Sequence, residues 1–225
     1  MHKKLPLMHV ITAPHILYFG TPVVLIGTTN EDGSYNLAPM SSIFWLGWRC
    51  MIGMASSSKT TQNLLHTGEC VLNLASRENA AAVNRLARTT GSNPVPPGKI
   101  QKGYFFESHK FERAGLSPAK ADLVNAPIAM ECPVHLEAKL VHARSMAEED
   151  ASMRGRITIL ELKIVRVHAD EALLVDGYDD KIDPDKWKPL VMSFQKFYSL
   201  GEQVHYSTLA EIPEARYLTP DRERA

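Results

Sequence analysis

Short apolar segments separated by turn residues dominate the first quarter of the chain. Residues 21–28 are rich in β-branched side chains and lead to an Asp-Gly step at 32–33, which favours the positive φ angles of a tight hairpin. Residues 43–46 and 48–55 resume apolar character, and their nearly continuous hydrophobicity predicts strands buried on both faces. The pattern therefore predicts a hairpin followed by two further strands.

Two short helices are predicted after these strands. Residues 60–66 precede Gly68, a residue type that commonly ends helices. Residues 69–75 predict another strand, and Ser76 is a suitable N-cap for a second helix that runs through residues 80–86. Strands joined by short helices are thus expected up to this point.

The remaining pattern is less regular. From about residue 90 to 126 the chain is rich in Gly, Pro, Ser and aromatic residues, a composition that fits either a cap over a site or a surface excursion packed by its own side chains. Residues 127–144 and 156–168 predict long antiparallel barrel strands. Pro39 removes a backbone donor from residues 36–42 and predicts a loop or an irregular sheet edge there. The fold class is therefore predicted to be mainly β with short helices.

Composition and charge exclude some classes of function. A chain of 225 residues that is 44% hydrophobic and 22% charged is most simply one elaborated domain. The 25 basic and 25 acidic residues cancel, and no basic block exists to bind a phosphate backbone, so nucleic acid is not expected as a partner. No apolar run approaches the ~20 residues of a membrane span, so a cytoplasmic protein without membrane contact is expected.

Metal and nucleophile chemistry have little support in the sequence. Cys50, Cys70 and Cys132 stand singly in apolar surroundings and predict buried free thiols. The nine histidines lack metal-ligand spacing, so no metal site is predicted. No Ser/His/Asp, Cys/His or paired-carboxylate arrangement stands out, so no catalytic side chain is predicted.

A segment dense in hydroxyl groups is the strongest candidate site. It precedes the first predicted helix and consists of Ser56, Ser57, Ser58, Lys59, Thr60 and Thr61. The hydroxyls can donate to a phosphate monoester, the lysine supplies compensating charge, and the helix supplies free N–H groups. The alternative is that Ser58 only caps the helix and the other hydroxyls face water.

A second candidate segment covers residues 36–42. Asn36 offers an amide, the proline frees backbone groups, and Ser41 and Ser42 offer hydroxyls, all suited to the polar edge of a heterocycle. By itself the segment is equally an irregular strand end. The two segments in this order point to a phosphate-bearing cofactor, and a flavin needs no protein acid or base because it carries the redox chemistry itself.

Several motifs in fixed order resemble those of the flavin reductase-like proteins, whose fold is an FMN-binding split β-barrel. The matching segments are residues 20–26, 32–41, 58–63 and 67–73, and more loosely 110–116 and 127–133. The resemblance extends from Leu17 to about His168. It implies a single domain over residues 1–225, with the irregular excursion at about 90–126 and a C-terminal extension from about 176.

The resemblance also implies a site. It predicts a six-stranded, Greek-key-like antiparallel barrel with peripheral helices and loops, which forms a homodimer with FMN near the subunit interface. The isoalloxazine ring would be bordered by Asn36 and the backbone around Ala38, Pro39, Met40, Ser41 and Ser42. Residues 56–61 would hold the phosphate, with Thr60 and Thr61 not distinguished, and Asn63 matches an asparagine often found in the small helix.

The function implied is an FMN-binding oxidoreductase that passes hydride from NADH or NADPH through FMN to free flavin, a ferric chelate or a partner monooxygenase. Residues 142–146 lack the Gly-Asp-His motif that many family reductases carry, which leaves open whether nicotinamide is used directly. Two alternatives remain: an FMN carrier, sensor or interaction scaffold without catalysis, and a barrel that binds pyridoxal phosphate.

Overall fold

The structure, a computed structural model, describes residues 8–222. Its strands are β1 (Phe19–Pro22), β2 (Val24–Thr29), β3 (Tyr35–Met40), β4 (Ile43–Leu46), β5 (Arg49–Ala55), β6 (Glu69–Leu74), β7 (Thr89–Thr90), β8 (Phe105–Phe106), β9 (Pro118–Lys120), β10 (Pro127–Ala129), β11 (Val134–Ser145), β12 (Ile157–Ala169), β13 (Leu190–Ser193) and β14 (Lys196–Ser199). Its α-helices are α1 (Lys59–Thr67), α2 (Ala80–Leu86), α3 (Pro97–Ile100) and α4 (Lys110–Ala114). Short 3₁₀ turns cover Arg77–Asn79, Glu171–Leu173, Thr208–Glu211 and Glu214–Tyr217.

Seven antiparallel strands form the main sheet in the order β3-β2-β6-β11-β12-β5-β4. Its two edge strands, β3 and β4, are separated in sequence by only Ser41 and Ser42. Three Cα–Cα steps span at most about 11 Å, whereas seven flat strands would place the edges about 29 Å apart. The sheet must therefore curl until its edges approach each other without pairing, which is a split barrel.

The side chains that point into the barrel form its core. Val24 and Ile26 on β2 lie in this core, while Leu25 packs on the opposite face against a second cluster with α2 and α4. The strand β5 alternates, because Cys50, Ile52 and Met54 are buried whereas the residues between them are partly exposed. Burial of β4 and β5 on both faces, which their hydrophobicity predicts, is therefore wrong: only the inward face of these strands is covered.

The other predicted elements are largely confirmed, but the strand predicted over residues 127–144 is divided into β10, which pairs with β9, and β11 in the main sheet. The Asp-Gly turn and the helix α1 are present, and Gly68 ends α1 with a φ of 71° that suits glycine. The backbone N–H of Ser76 donates to the Asn79 side chain at 2.8 Å, which caps the next helical segment. The segment with Pro39 is a regular strand and not a loop. Because β3 is an edge strand, the missing donor interrupts no ladder on its open side.

The irregular excursion also holds short elements. It contains α3, α4 and three short strands, and α4 packs beside α2 on the outer face of β3. The strands β1, β13 and β14 form a separate small sheet, so part of the C-terminal extension returns to the start of the barrel. No helix among residues 8–222 is long and apolar enough to span a membrane.

Candidate functional site

Two adjoining clefts lie along the edge strand β3 and the start of α1. We call the first, of about 520 Å³, the basic cleft, because Lys59, Lys99, Lys102 and Lys110 line it. We call the second, of about 530 Å³, the turn cleft, because it is lined by the β2–β3 turn and by residues 92–94 and 106–108. Both volumes are typical of small-molecule sites. The clefts share a wall formed by Asn36, Ser57, Lys59, Gly91 and Pro96.

The fold brings the two predicted segments together at this shared wall. Asn36 is buried on β3, and its Nδ2 donates to Thr60 Oγ1 at 3.1 Å and to Thr28 Oγ1 at 3.2 Å. Thr60 lies in the first turn of α1, which packs against β2 and β3. The segments that the sequence predicts for the ring and for the phosphate are therefore linked by one hydrogen bond.

The start of α1 offers donors to an anion. Ser58 is the N-cap, and its Oγ accepts from the Thr61 N–H at 3.1 Å. Within residues 8–222, no acceptor lies within hydrogen-bond distance of the backbone N–H groups of Lys59 and Thr60. These free N–H groups and the Lys59 side chain create positive potential beside the clefts. The predicted alternative, that Ser58 caps the helix, is thus true of Ser58, and the donors predicted to bind an anion remain free.

Gly91 closes the shared wall from the other side. A Cβ atom at this position would lie 2.7 Å from Asn36 Oδ1 and 3.2 Å from Lys59 Cγ. The chain at residue 91 can approach these side chains so closely only because glycine lacks a Cβ. The excursion of residues 90–126 therefore covers the site, which is the first of the two interpretations that its composition allows.

Sequence reasoning missed three lysines that the excursion brings to the basic cleft, Lys99, Lys102 and Lys110. Lys102 is exposed, whereas Lys110 and Lys99 are withdrawn from solvent. Lys110 is only 2% exposed, and its Nζ donates to Thr89 Oγ1 at 2.5 Å. Burial, and secondarily the charge of Lys99, lowers the pKa of Lys110 to about 8. Lys99 donates to Thr90 Oγ1 at 3.0 Å, and burial lowers its pKa as well. Neither lysine lies in a periodic pattern, so the sequence carries no local signal that they meet.

The structure places some predicted site residues away from the clefts. The residues that line a cleft are Asn36, Ala38, Pro39, Met40, Ser57, Ser58, Lys59 and Thr60. The others are Ser41, Ser42, Ser56, Thr61 and Asn63, and none of these lines either cleft. Thr61 is fully buried and donates to the Ala55 carbonyl at 2.9 Å, and Ser56 bonds Thr158 Oγ1 at 2.8 Å. Ser42 bonds the Tyr18 hydroxyl. Thr61 and Ser56 therefore hold the start of α1 in place.

Asn63 has a structural role that can be tested. Its Nδ2 donates to Thr28 Oγ1 at 3.0 Å and to Asn30 Oδ1 at 2.8 Å, and the side chain is buried. Asn63→Ala removes both hydrogen bonds and leaves Thr28 Oγ1 with only the bond from Asn36, so we expect a loss of about 1–2 kcal/mol in the free energy of unfolding. Urea denaturation measures this loss, with exposed Gln62→Ala as the matched control on the same helix. Equal stability of the two variants would contradict the role.

The histidines and cysteines lie elsewhere. His135 Nδ1 bonds Asn73 Oδ1 at 2.8 Å, and burial lowers its pKa to about 4. Among the described residues, Asp122, Glu137 and His168 are close enough for a metal ion. However, the buried Glu137 already accepts from His168 at 2.7 Å and from two backbone N–H groups. This cluster therefore anchors the segment at Asp122 to the barrel. The three cysteines are buried and free, as predicted.

Comparison with known proteins agrees with this architecture. The model of the flavin reductase like domain matches residues 16–201. YdfE, a protein of Bacillus subtilis, is 35% identical over 191 residues, which is 85% of this chain and 89% of YdfE. Flavoredoxin of Desulfovibrio vulgaris superposes with a TM-score of 0.71 at 21% identity, over 92% of this chain and all of the other. Nitrilotriacetate monooxygenase component B from Bacillus cereus gives 0.69 at 19% identity, over 89% of this chain and all of the other.

The two solved structures show the same fold, and the family model covers most of the chain. The split-barrel fold is thus shared with both solved structures. This chain belongs to the flavin reductase-like family.

Proposed function

We propose that this protein is an FMN-binding oxidoreductase of the flavin reductase type, in which NADH or NADPH is the reductant. The observation that carries the proposal is the junction of Asn36 and Thr60, where the edge strand β3 and the free N–H groups of α1 meet beside Lys59. A mononucleotide has one polar ring edge and one phosphate. At this junction, amide and backbone groups can bind the ring edge, and the positive charge can bind the phosphate.

The donors present fit FMN. Lys59, the α1 N–H groups and the Ser57 hydroxyl would hold the phosphate, because charge-assisted hydrogen bonds suit a phosphate dianion. Asn36 and the backbone from Ala38 to Met40 would border the ring, since Ser41 and Ser42 line neither cleft. Ser58, Thr61 and Asn63 would act by fixing α1. When bound, the flavin supplies the hydride-accepting chemistry, and the protein orients it and limits access of water.

The electron acceptor and the assembly belong to the same proposal. Free flavin, a ferric chelate or a partner monooxygenase would accept the electrons, and the fold shared with a nitrilotriacetate monooxygenase component B supports the last of these. A homodimer is supported by exposed apolar side chains near the open edge of the barrel: Phe19 packs on Phe194, and Phe44 and Leu46 lie exposed on β4.

The visible spectrum of the purified protein tests the proposal. FMN is added, the excess is removed, and NADH and then NADPH are added without oxygen. Retained flavin absorbance that bleaches with either nucleotide is the expected result. Retained absorbance that persists with both would instead identify an FMN carrier or sensor, and loss of all flavin on removal of the excess would refute the cofactor assignment.

A further inference from the structure

Lys99 and Lys110 form a pair of positive groups without an acidic partner. Lys110 donates to Thr89 and Lys99 to Thr90, both lysines line the basic cleft, and the charge of Lys99 reaches Lys110. No carboxylate lines this cleft, and within residues 8–222 no carboxylate oxygen lies within 4 Å of either Nζ. Glu107, which lines the turn cleft, is the acidic group whose charge reaches Lys110.

Burial of two ammonium groups destabilises the folded protein unless an anion binds beside them. A lysine that is 98% removed from solvent normally has a carboxylate partner or gives up its proton. Lys110 has one hydroxyl partner for three N–H donors, and a second ammonium group is close enough to depress its pKa further. If position 110 only filled space in the core, methionine or leucine would give a more stable protein than lysine.

The charges in the basic cleft exceed what one phosphate monoester needs. Four lysines line the cleft, whereas a phosphate monoester carries nearly two negative charges and can be held by Lys59 and the start of α1. Lys99, Lys102 and Lys110 remain, and the two of them that are withdrawn from solvent, Lys99 and Lys110, are available for a second anionic group. The adjoining turn cleft gives room for a ligand beside the cofactor.

We propose that Lys99 and Lys110 form a second phosphate subsite that holds the diphosphate of the nicotinamide dinucleotide which reduces the flavin. This inference rests on the proposed function, since that function supplies a second ligand with two negative charges. Lys99 and Lys110 thereby act as positioning residues: they touch the diphosphate and set where the dinucleotide lies, and the reacting atoms are elsewhere in the molecule.

The test compares two reductants on the FMN-loaded protein. NADH carries the diphosphate, whereas N-benzyl-1,4-dihydronicotinamide delivers hydride from the same ring without any phosphate. For Lys99→Met and Lys110→Met we expect kcat/KM for NADH to fall about tenfold or more, because each variant loses a charge-assisted contact. The rate with the benzyl compound and the Kd for FMN should stay within twofold. Lys196→Met, on the exposed strand β14, is the matched control and should change nothing.

Direct binding gives a second readout. Calorimetric titration of the FMN-loaded protein with NAD⁺ should show the same loss of affinity in both variants and none in the control. A weakened Kd for FMN with unchanged NAD⁺ affinity would place the lysines on the FMN phosphate and overturn the inference. A shifted midpoint potential of the flavin with both reductants affected equally would place them at the ring and overturn it as well. Failure of wild type with both reductants would refute the proposed function itself.

Discussion

Lys59→Ala is expected to weaken FMN binding by about 1.5–3 kcal/mol, which corresponds to a Kd about 10- to 150-fold higher. Lys59 is the first residue of α1, lies partly buried at the wall shared by both clefts, and supplies the charge nearest to the free N–H groups of the helix. Fluorescence titration of the apoprotein with FMN measures the change.

Riboflavin makes the assignment to phosphate specific. It has the same ring and ribityl chain as FMN but no phosphate, so its Kd should be the same for wild type and Lys59→Ala. Lys196→Ala removes a charge from an exposed strand that lines neither cleft and should leave both affinities unchanged. An equal loss for riboflavin and FMN would place Lys59 at the ring or in the fold, and no loss for either would remove it from the site.

Lys110→Met is expected to stabilise the ligand-free protein at pH 7 by about 2 kcal/mol. Lowering the pKa of Lys110 from 10.5 to about 8 means that burial of its charge opposes folding. Each pKa unit corresponds to about 1.4 kcal/mol, and the loss of the hydrogen bond to Thr89 offsets about 1 kcal/mol of the gain. Urea denaturation of the apoprotein measures the free energy of unfolding.

The pH dependence of the stability difference between wild type and Lys110→Met tests whether burial of charge causes that difference. Below pH 8 Lys110 is protonated in both the folded and unfolded states, so the full penalty applies to wild type. Between pH 8 and 10.5 the unfolded state binds more protons, so wild type gains stability with rising pH and the advantage of Lys110→Met fades. Lys99 and Glu107 face the same group and are present in both proteins. Lys102→Met, exposed in the same cleft, should differ from wild type by less than about 0.5 kcal/mol. An advantage that does not vary with pH would contradict burial of charge as its origin.

Stabilisation by Lys110→Met would also support a role of Lys110 in ligand binding. A lysine that lowers the stability of the ligand-free protein is consistent with a role in ligand binding, as in the phosphate subsite proposed for Lys99 and Lys110. Bound anions should reverse the order of stability of the two proteins, because they favour the charged lysine and bind only the folded state.

Much of the fold could be predicted from local pattern. The hairpin turn, the limits of α1 and the long strands β11 and β12 follow from glycine geometry, capping and apolar alternation, all of which act within a few residues. The error for β4 and β5 arose because continuous hydrophobicity gives the amount of apolar surface but not which face is covered. Likewise, Pro39 predicts a loop or an irregular sheet edge but does not decide between them, and the structure has a regular edge strand.

The candidate site was also predicted only in part, because local sequence pattern shows its chemistry but not the direction of its side chains. The hydroxyl-rich segment and residues 36–42 are each contiguous, so their chemistry can be recognised in the sequence, and the family resemblance added Asn63 and the roles of the two segments. Which of these side chains face a ligand was not legible: Thr60 bonds Asn36 at the cleft wall, whereas Thr61 and Asn63 point into the protein. On a helix, neighbours in sequence face different directions, and only packing decides which direction is inward.

The sequence by itself therefore determined a mainly β protein of the flavin reductase-like family and predicted an anion site at the start of α1. Only the tertiary structure decided that Lys99 and Lys110 meet in the basic cleft and that Gly91 closes over Asn36 and Lys59. The physical reason is that the excursion of residues 90–126 has no hydrophobic period, so its path is set by contacts with distant parts of the chain. Local propensities fix turns and helices, but such long-range contacts place the charges that a ligand meets.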